Sequence, residues 1–324
     1  MQRIYRFLAL TTFAAALSVS AHAQTKTVAI AGWGPHPTLD ETIAGFKEGL
    51  AEGGFREGQN VKFDETNVNF DRALIPQMLN KLASTSPDLM VTIATPVSVL
   101  AAQQLRSRSF PIVFTPIADP VHAKLAPSWE SGAPRMTGSS VALDYDTVLD
   151  FFQAMMPQLK RLAVLYDTGD DSSTVALESI EPIAARRGIS IVRTGMDNPS
   201  ELPQRVQSAA GRADAIYPVA SGRIQQGAAV IAATAERMKM PVLTTIPQMV
   251  QQHQAVAAMA VSFKQSGHAA GLIAARVLKG EDPKNIAPWR PAAKDHVPMV
   301  SGPRLKALGW TLPASLKDCG CVIE

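Results

Sequence analysis

Twice in quick succession the chain runs an apolar stretch into a small polar residue and a proline: Thr95-Pro96 in "IATPVSVLAAQQL" and Asp119-Pro120 in "FPIVFTPIADPV". Thr or Asp at such a place caps a helix by accepting from its first N–H groups. Proline suits the first turn, where its missing N–H would have had no partner. N–H groups just beyond, such as those of Val97 and Ser98, would then point outward and can hold a carboxylate or phosphate without a cationic side chain. Ordinary capping with nothing bound is the simpler reading of either place alone. Two such ends on neighbouring strands favour a ligand.

Residues that would announce bond-making chemistry are scattered. "AGWGPHP" offers Gly32 and Gly34 but prolines where a dinucleotide-binding helix should open, and there is no P-loop or Gly-x-Ser-x-Gly elbow. His36, His122, His253, His268 and His296 stand isolated, so neither a metal nor another cofactor is expected. The two cysteines, Cys319 and Cys321, lie near the C-terminus. They read either as part of a frayed tail or as a local or intermolecular disulfide, the local ring being small.

The elements that would position these residues alternate regularly. Apolar strands are expected at Thr27–Gly32, Val61–Thr66, Asp88–Ala94 and Pro111–Phe114, with helices at Leu39–Ala51, Arg72–Ala83 and Val97–Leu105. After Asp146 the rhythm restarts: strands at Arg161–Tyr166, Ile189–Thr194, Ala213–Tyr217, Pro241–Thr245 and Ala255–Ala260, and helices at Ser173–Arg187, Glu201–Gly211, Gln225–Arg237 and Gly267–Leu278. Near-continuous apolar strands separated by helices predict an α/β protein with two doubly wound parallel-sheet lobes. In such sheets ligands gather at the carboxyl ends of the strands, where Thr95 and Asp119 fall. Pro-rich Glu281–Pro298 reads as a connector.

Residues 1–23 have the form of a secretion signal: Arg3 and Arg6, an apolar centre from Phe7 to Val19, and the small-residue ending Ala21-His22-Ala23. Cleavage is expected near Ala23-Gln24, giving a periplasmic protein not embedded in the membrane. Of 31 basic and 28 acidic residues, two bases belong to this leader. The remainder is close to neutral, which gives no electrostatic reason to expect nucleic acid.

The stretches "IATPVSVLAAQQL", "FPIVFTPIADPV", "RLAVLYDTGDDSS", "ADAIYPVASG" and "GHAAGLIAARVLKGEDPKNI" occur in order. Together the chain resembles, from about Thr27 to Leu312, the ABC-transporter substrate-binding proteins that include tryptophan- and tyrosine-type uptake receptors. The resemblance implies a type 1 periplasmic binding protein, whose two hinged lobes close on a small molecule and present it to a membrane permease with its ATPase. It divides the chain into a first lobe of residues 24–142 plus about 258–283, a second lobe of 143–257 plus about 284–312, and a tail of 313–324. Position by position, it assigns Trp33, His36, Thr95, Pro96, Thr115 and Asp119 of the first lobe to the pocket. From the second lobe it assigns Thr168, Asp170, Ala220, Ser221 and Ile246, with Ser262 and Phe263 at the return crossing. Trp33 would stack on a flat ligand and Asp119 would take an ammonium.

Departures from that family's pattern bear on the ligand. Amino-acid-binding relatives tend to carry acids where this chain reads Val219-Ala220-Ser221-Gly222 and Thr245-Ile246-Pro247-Gln248, and an Asp-aromatic pair where it reads Ser262-Phe263. A buried ammonium without such partners is costly, which opens the list to neutral heteroaromatic compounds and small carboxylic acids. A free monomeric uptake receptor is the leading expectation. A sensory ligand-binding module and an exported α/β enzyme are the alternatives.

Overall fold

The computed structural model describes residues 25–324. The leader expected at residues 1–23 lies outside them. The first half of the chain forms β1 (Lys26–Gly32), α1 (Pro37–Glu52), β2 (Val61–Asn67), α2 (Ile75–Ser84), β3 (Leu89–Ile93), α3 (Thr95–Gln104), β4 (Ile112–Ile117) and β5 (Met136–Ser140). These strands make one parallel sheet in the order β2-β1-β3-β4-β5. Residues of β3 and β4 are buried throughout, because helices cover both faces.

The second series runs α4 (Tyr145–Met155), β6 (Arg161–Asp167), α5 (Asp171–Arg186), β7 (Ser190–Met196), α6 (Leu202–Ala209), β8 (Ala215–Pro218), α7 (Gly222–Gln226), α8 (Ala228–Arg237), β9 (Leu243–Thr244), α9 (Pro247–Gln251) and β10 (Ala257–Val261). It is completed by α10 (Phe263–Leu278), β11 (His296–Ser301), α11 (Gly302–Leu308) and β12 (Val322–Ile323). Strands β7-β6-β8 and β12-β11-β10-β9 are joined through the Ile216–Val242 bridge into one continuous sheet. From β7 to β10 its winding repeats that of the first sheet. The helix expected over Gln225–Arg237 is broken at Gly227, where a Cβ would collide with Leu202 of α6.

The two sheets are started by the same device. Asp88, just before β3, accepts from Thr27 N (2.8 Å) and the Lys26 ammonium (2.9 Å) at the start of β1. Asp214, just before β8, accepts from Arg161 N (2.8 Å) and its guanidinium (2.7 Å) at the start of β6. Burial works to raise the Asp88 carboxyl, but the Thr27 N–H and Lys26 outweigh it and hold it below the ordinary aspartate value. At Asp214 burial is likewise outweighed, by Arg161 and the N–H groups of Lys160 and Arg161. A carboxyl depressed in the folded state stabilises above its unfolded pKa, and that contribution vanishes as pH falls through the folded pKa. Asp88→Asn and Asp214→Asn should therefore melt lower than the parent at neutral pH. The gap should close below about pH 4; a gap constant with pH in circular-dichroism melts would refute this.

Helix α10 returns from β10 to pack on the first lobe, against α1. The buried face of α1 carries Thr42, Gly45, Phe46, Gly49 and Leu50, and that of α10 carries Ser266, Gly267, Ala270 and Gly271. A Cβ on Gly45 or Gly49 would land on the carbonyl oxygen of Lys264 or His268, and one on Gly267 or Gly271 on that of Thr42 or Phe46. Backbone touches backbone here, with no side-chain cushion.

The chain passes between the sheets at three places: Val141–Asp144, Ser262 and the stretch after Gly280. That last stretch is more than a connector. Trp289 adds to the first sheet beside Gly138 and Ser140, and β11 begins at His296, antiparallel to β10. His296 draws the crossings together: Nδ1 lies 2.9 Å from Ala292 O, Nε2 accepts from Asp144 N at 2.9 Å, and its backbone opposes Val261. The last residues are built in as well. Cys319 and Cys321 form a disulfide, Cys321 is buried in the second lobe's core, and β12 pairs with β11.

Candidate functional site

In both sheets the strand order reverses direction beside the first strand of the series, between β1 and β3 and again between β6 and β8. Loops diverge at such a switch point and leave a crevice at the strands' carboxyl ends. The two crevices face one another across a cleft of about 1090 Å³, lined from both sheets and from all three crossings. A smaller cavity of about 390 Å³, beside Arg106 and Lys124, draws on the first lobe alone.

On the first wall, Trp33 follows β1, half-buried, with its ring edge-on to Phe70 at 5.9 Å. After β3 the chain turns directly into α3. Thr95 is the first helical residue there rather than the cap. The cap position is held by Ala94 at φ 76°, ψ 155°, and no side chain closes the helix end. Ala94 N donates to Thr115 O (2.9 Å), while its own carbonyl accepts from Ser98 N (3.1 Å) and Ser98 Oγ (3.0 Å). These bonds hold a φ/ψ combination that L-residues rarely adopt. The N–H of Thr95 lacks a helical partner and sits where Ala94, Thr95 and Pro96 line the cleft. Val97 and Ser98, expected to point their N–H groups outward, are instead fully buried, with Ser98 N bonded to Ala94 O.

Asp119 also lines the cleft, but no helix starts at Pro120; Oδ1 accepts from Val121 N and His122 N (both 2.9 Å) and closes a turn instead. Farther along this wall, Arg290 stacks over Trp129, its guanidinium carbon 4.9 Å from the ring centre.

On the second wall Asp167 ends β6 and is 1 % exposed. Its carboxylate receives Arg223 Nε (2.7 Å) and Nη2 (2.5 Å) and the N–H of Gly169 (2.9 Å). Asp170 caps α5 through Ser172 N (2.9 Å), and Ala220 follows β8; both line the cleft. Tyr145 and Tyr217 reach it from α4 and β8. Burial raises both hydroxyls above the ordinary tyrosine value, Tyr145 well above it, so both stay protonated. Tyr217 lies 3.3 Å from the Thr245 hydroxyl. Phe263, at the return crossing, adds another ring.

Other residues assigned from sequence lie off the wall. His36 is exposed and caps α1, its Nδ1 facing Thr38. Thr115 is fully buried on the opposite face of β4, in a hydroxyl cluster with Ser139 (2.8 Å) and Ser266 (3.3 Å). Thr168 bonds Met196 O and Asp197. Ser221 and Ser262 cap α7 and α10, and Ile246 is core; their neighbours Ala220, Thr245, Pro247, Val261 and Phe263 line the cleft instead. Among the described residues no group of three or more His, Cys, Asp or Glu could hold a metal, and no helix is long and apolar enough to cross a membrane.

Comparison with known proteins gives the same architecture. The chain is 28 % identical over 261 residues to a tyrosine-binding protein of Clostridioides difficile, covering 81 % of this chain and 75 % of that one. A ligand-free, open substrate-binding protein with adhesive properties from Clostridium difficile superposes with a TM-score of 0.80 at 26 % identity, over 93 % of this chain and 99 % of that one. An ABC domain from Streptococcus pneumoniae in complex with L-Trp gives 0.78 at 25 % identity, over 93 % and 100 %. The model of the ABC transporter substrate binding protein family matches residues 27–316. With two sheets of the type 1 binding-protein fold facing each other across a ligand-sized cleft, the chain belongs to the ABC transporter substrate-binding proteins.

Proposed function

We propose that this protein is the periplasmic, monomeric receptor of an ABC importer for a small molecule combining a flat ring with a carboxylate. The observation that carries this is the pairing, in one cleft, of aromatic rings with the uncapped N-terminus of α3. Trp33 and Phe263, both partly exposed, offer apolar faces and edges to a ring, with Tyr145 and Tyr217 packed behind the wall. The free N–H of Thr95 at the start of α3 offers a carboxylate a partner. Relatives that bind tyrosine and L-Trp fall within this class.

The lobes proposed are residues 24–142 with about 258–283, and 143–257 with about 284–312. They close by bending the three crossings, and the closed form is what the permease and its ATPase recognise. A ligand shifts that equilibrium only by its differential affinity for the closed state, so both walls must contribute. The solute is handed over unchanged.

A thermal-shift series with L-tryptophan, L-tyrosine and indole-3-propionate, against ribose and myo-inositol, tests this. The aromatic acids should raise the melting temperature in proportion to the logarithm of their concentration. A response to the sugars alone would sink the proposal. Trp33→Ala should weaken aromatic binding about ten-fold or more while leaving the apo melting temperature within a few degrees. A collapse of apo stability in that variant would make Trp33 a core residue instead.

A further inference from the structure

Arg223 stands out on the second wall. Its guanidinium is held by a carboxylate that is itself almost wholly buried, Asp167, through Nε and Nη2, and by the carbonyl oxygen of Asp197 through Nη1 (2.8 Å). Gly169 completes the cradle, since a Cβ there would fall on Nη2. A surface arginine of ordinary kind is tethered at one point or none. This one is fixed on three sides, yet its side chain remains 38 % exposed, toward the cleft.

A guanidinium has five N–H donors, and the three bonds to Asp167 and Asp197 O use three of them. One N–H on each terminal nitrogen is left over. Facing an open cleft, both can be satisfied by water. When the lobes close, that water goes, and a charged donor without an acceptor is expensive. Selection then works by penalty: a ligand presenting an oxygen toward Arg223 is accepted, and one presenting only C–H is rejected.

We propose that Arg223 is the second lobe's ligand anchor and that it selects aromatic carboxylates bearing a further oxygen acceptor, carboxylate or phenolic, at the far end of the ring. The inference rests on the reading of the cleft as an aromatic-carboxylate site. The ring's own acid goes to the N-terminus of α3 on one wall, and the distal oxygen goes to Arg223 on the other. The ligand thereby bridges the lobes, as closure requires. Asp167 and Gly169 are positioning residues for this contact.

Calorimetric titration of the purified protein with L-phenylalanine, L-tyrosine and 4-carboxy-L-phenylalanine tests it, because these differ only at the para position. Tyrosine and the 4-carboxy compound should bind at least ten-fold tighter than phenylalanine. In Arg223→Lys, which keeps the charge and loses the fork, the preference should shrink. In the double variant Asp167→Asn/Arg223→Gln, which strands no buried carboxylate, it should fall within about two-fold, with an apo melt confirming folding. No para preference in the parent, or an undiminished one in the double variant, overturns the role of Arg223. Indole-3-propionate separates the two levels. If it binds while the para preference is absent, only the Arg223 assignment fails; if neither it nor any of the three binds, the aromatic-carboxylate reading fails too.

Discussion

Gly49→Val should abolish a stable first lobe. In an exposed helix interior, a glycine replaced by a better helix former gains up to about 1 kcal/mol. At position 49 that gain is overwhelmed, because the new Cβ would occupy the carbonyl oxygen of His268 in α10. Backbone cannot yield as a side-chain tip does, so α1 and α10 must separate. Overpacking of this kind costs about 3 kcal/mol or more. Even Gly49→Ala should lower the urea midpoint. Gly222→Ala is the matched control, since nothing lies within 4 Å of its Cβ position. A parent-like midpoint for Gly49→Val would mean that the two helices are not in backbone contact.

Ala94→Gly should move stability the other way. The backbone at φ 76°, ψ 155° is a conformation that glycine adopts freely and alanine at a cost of about 1–3 kcal/mol. Glycine also makes the unfolded chain more flexible, which returns roughly 0.5–1 kcal/mol. The strain term wins, and the net stabilisation should be about 1 kcal/mol, read as a higher urea midpoint. Affinity for aromatic acids should drop several-fold in the same variant, because the Thr95 N–H at the start of α3 would be held less firmly. A lower midpoint, or unchanged affinity at a raised midpoint, would contradict this account of Ala94.

Much of the scaffold was legible because parallel strands buried on both faces must be apolar for most of their length. Leu89–Ile93 and Ile112–Ile117 announce themselves in this way. The helix start at Thr95-Pro96 was equally visible, but its cap was not, since nothing in the letter Ala marks residue 94 as left-handed. Thr115 looked like a polar residue at a strand end and turned out to face α10. The strand runs on to Ile117 instead of ending at Phe114, so Thr115 lies inside it and shares the face of Val113, toward α10.

The second wall was harder to read for a different reason. Asp167 and Arg223 are 56 positions apart, and their pairing exists only once β6 and β8 lie side by side. Trp129 and Arg290 meet across an even longer interval. The glycines of "GFKEGLAEGG" and "GHAAG" keep a four-residue spacing that any reader can see. That spacing acquires meaning only when α1 and α10 are known to touch.

The outer flank of β11 has a consequence for how other chains can meet the second sheet. Strand β12 is two residues long, and its partner β11 carries Pro298, which has no N–H to offer. A foreign chain approaching this flank finds neither a run of vacant donors nor enough length to zip onto. Strand addition along this flank of the second sheet is thereby disfavoured, and a second copy would have to meet the molecule elsewhere.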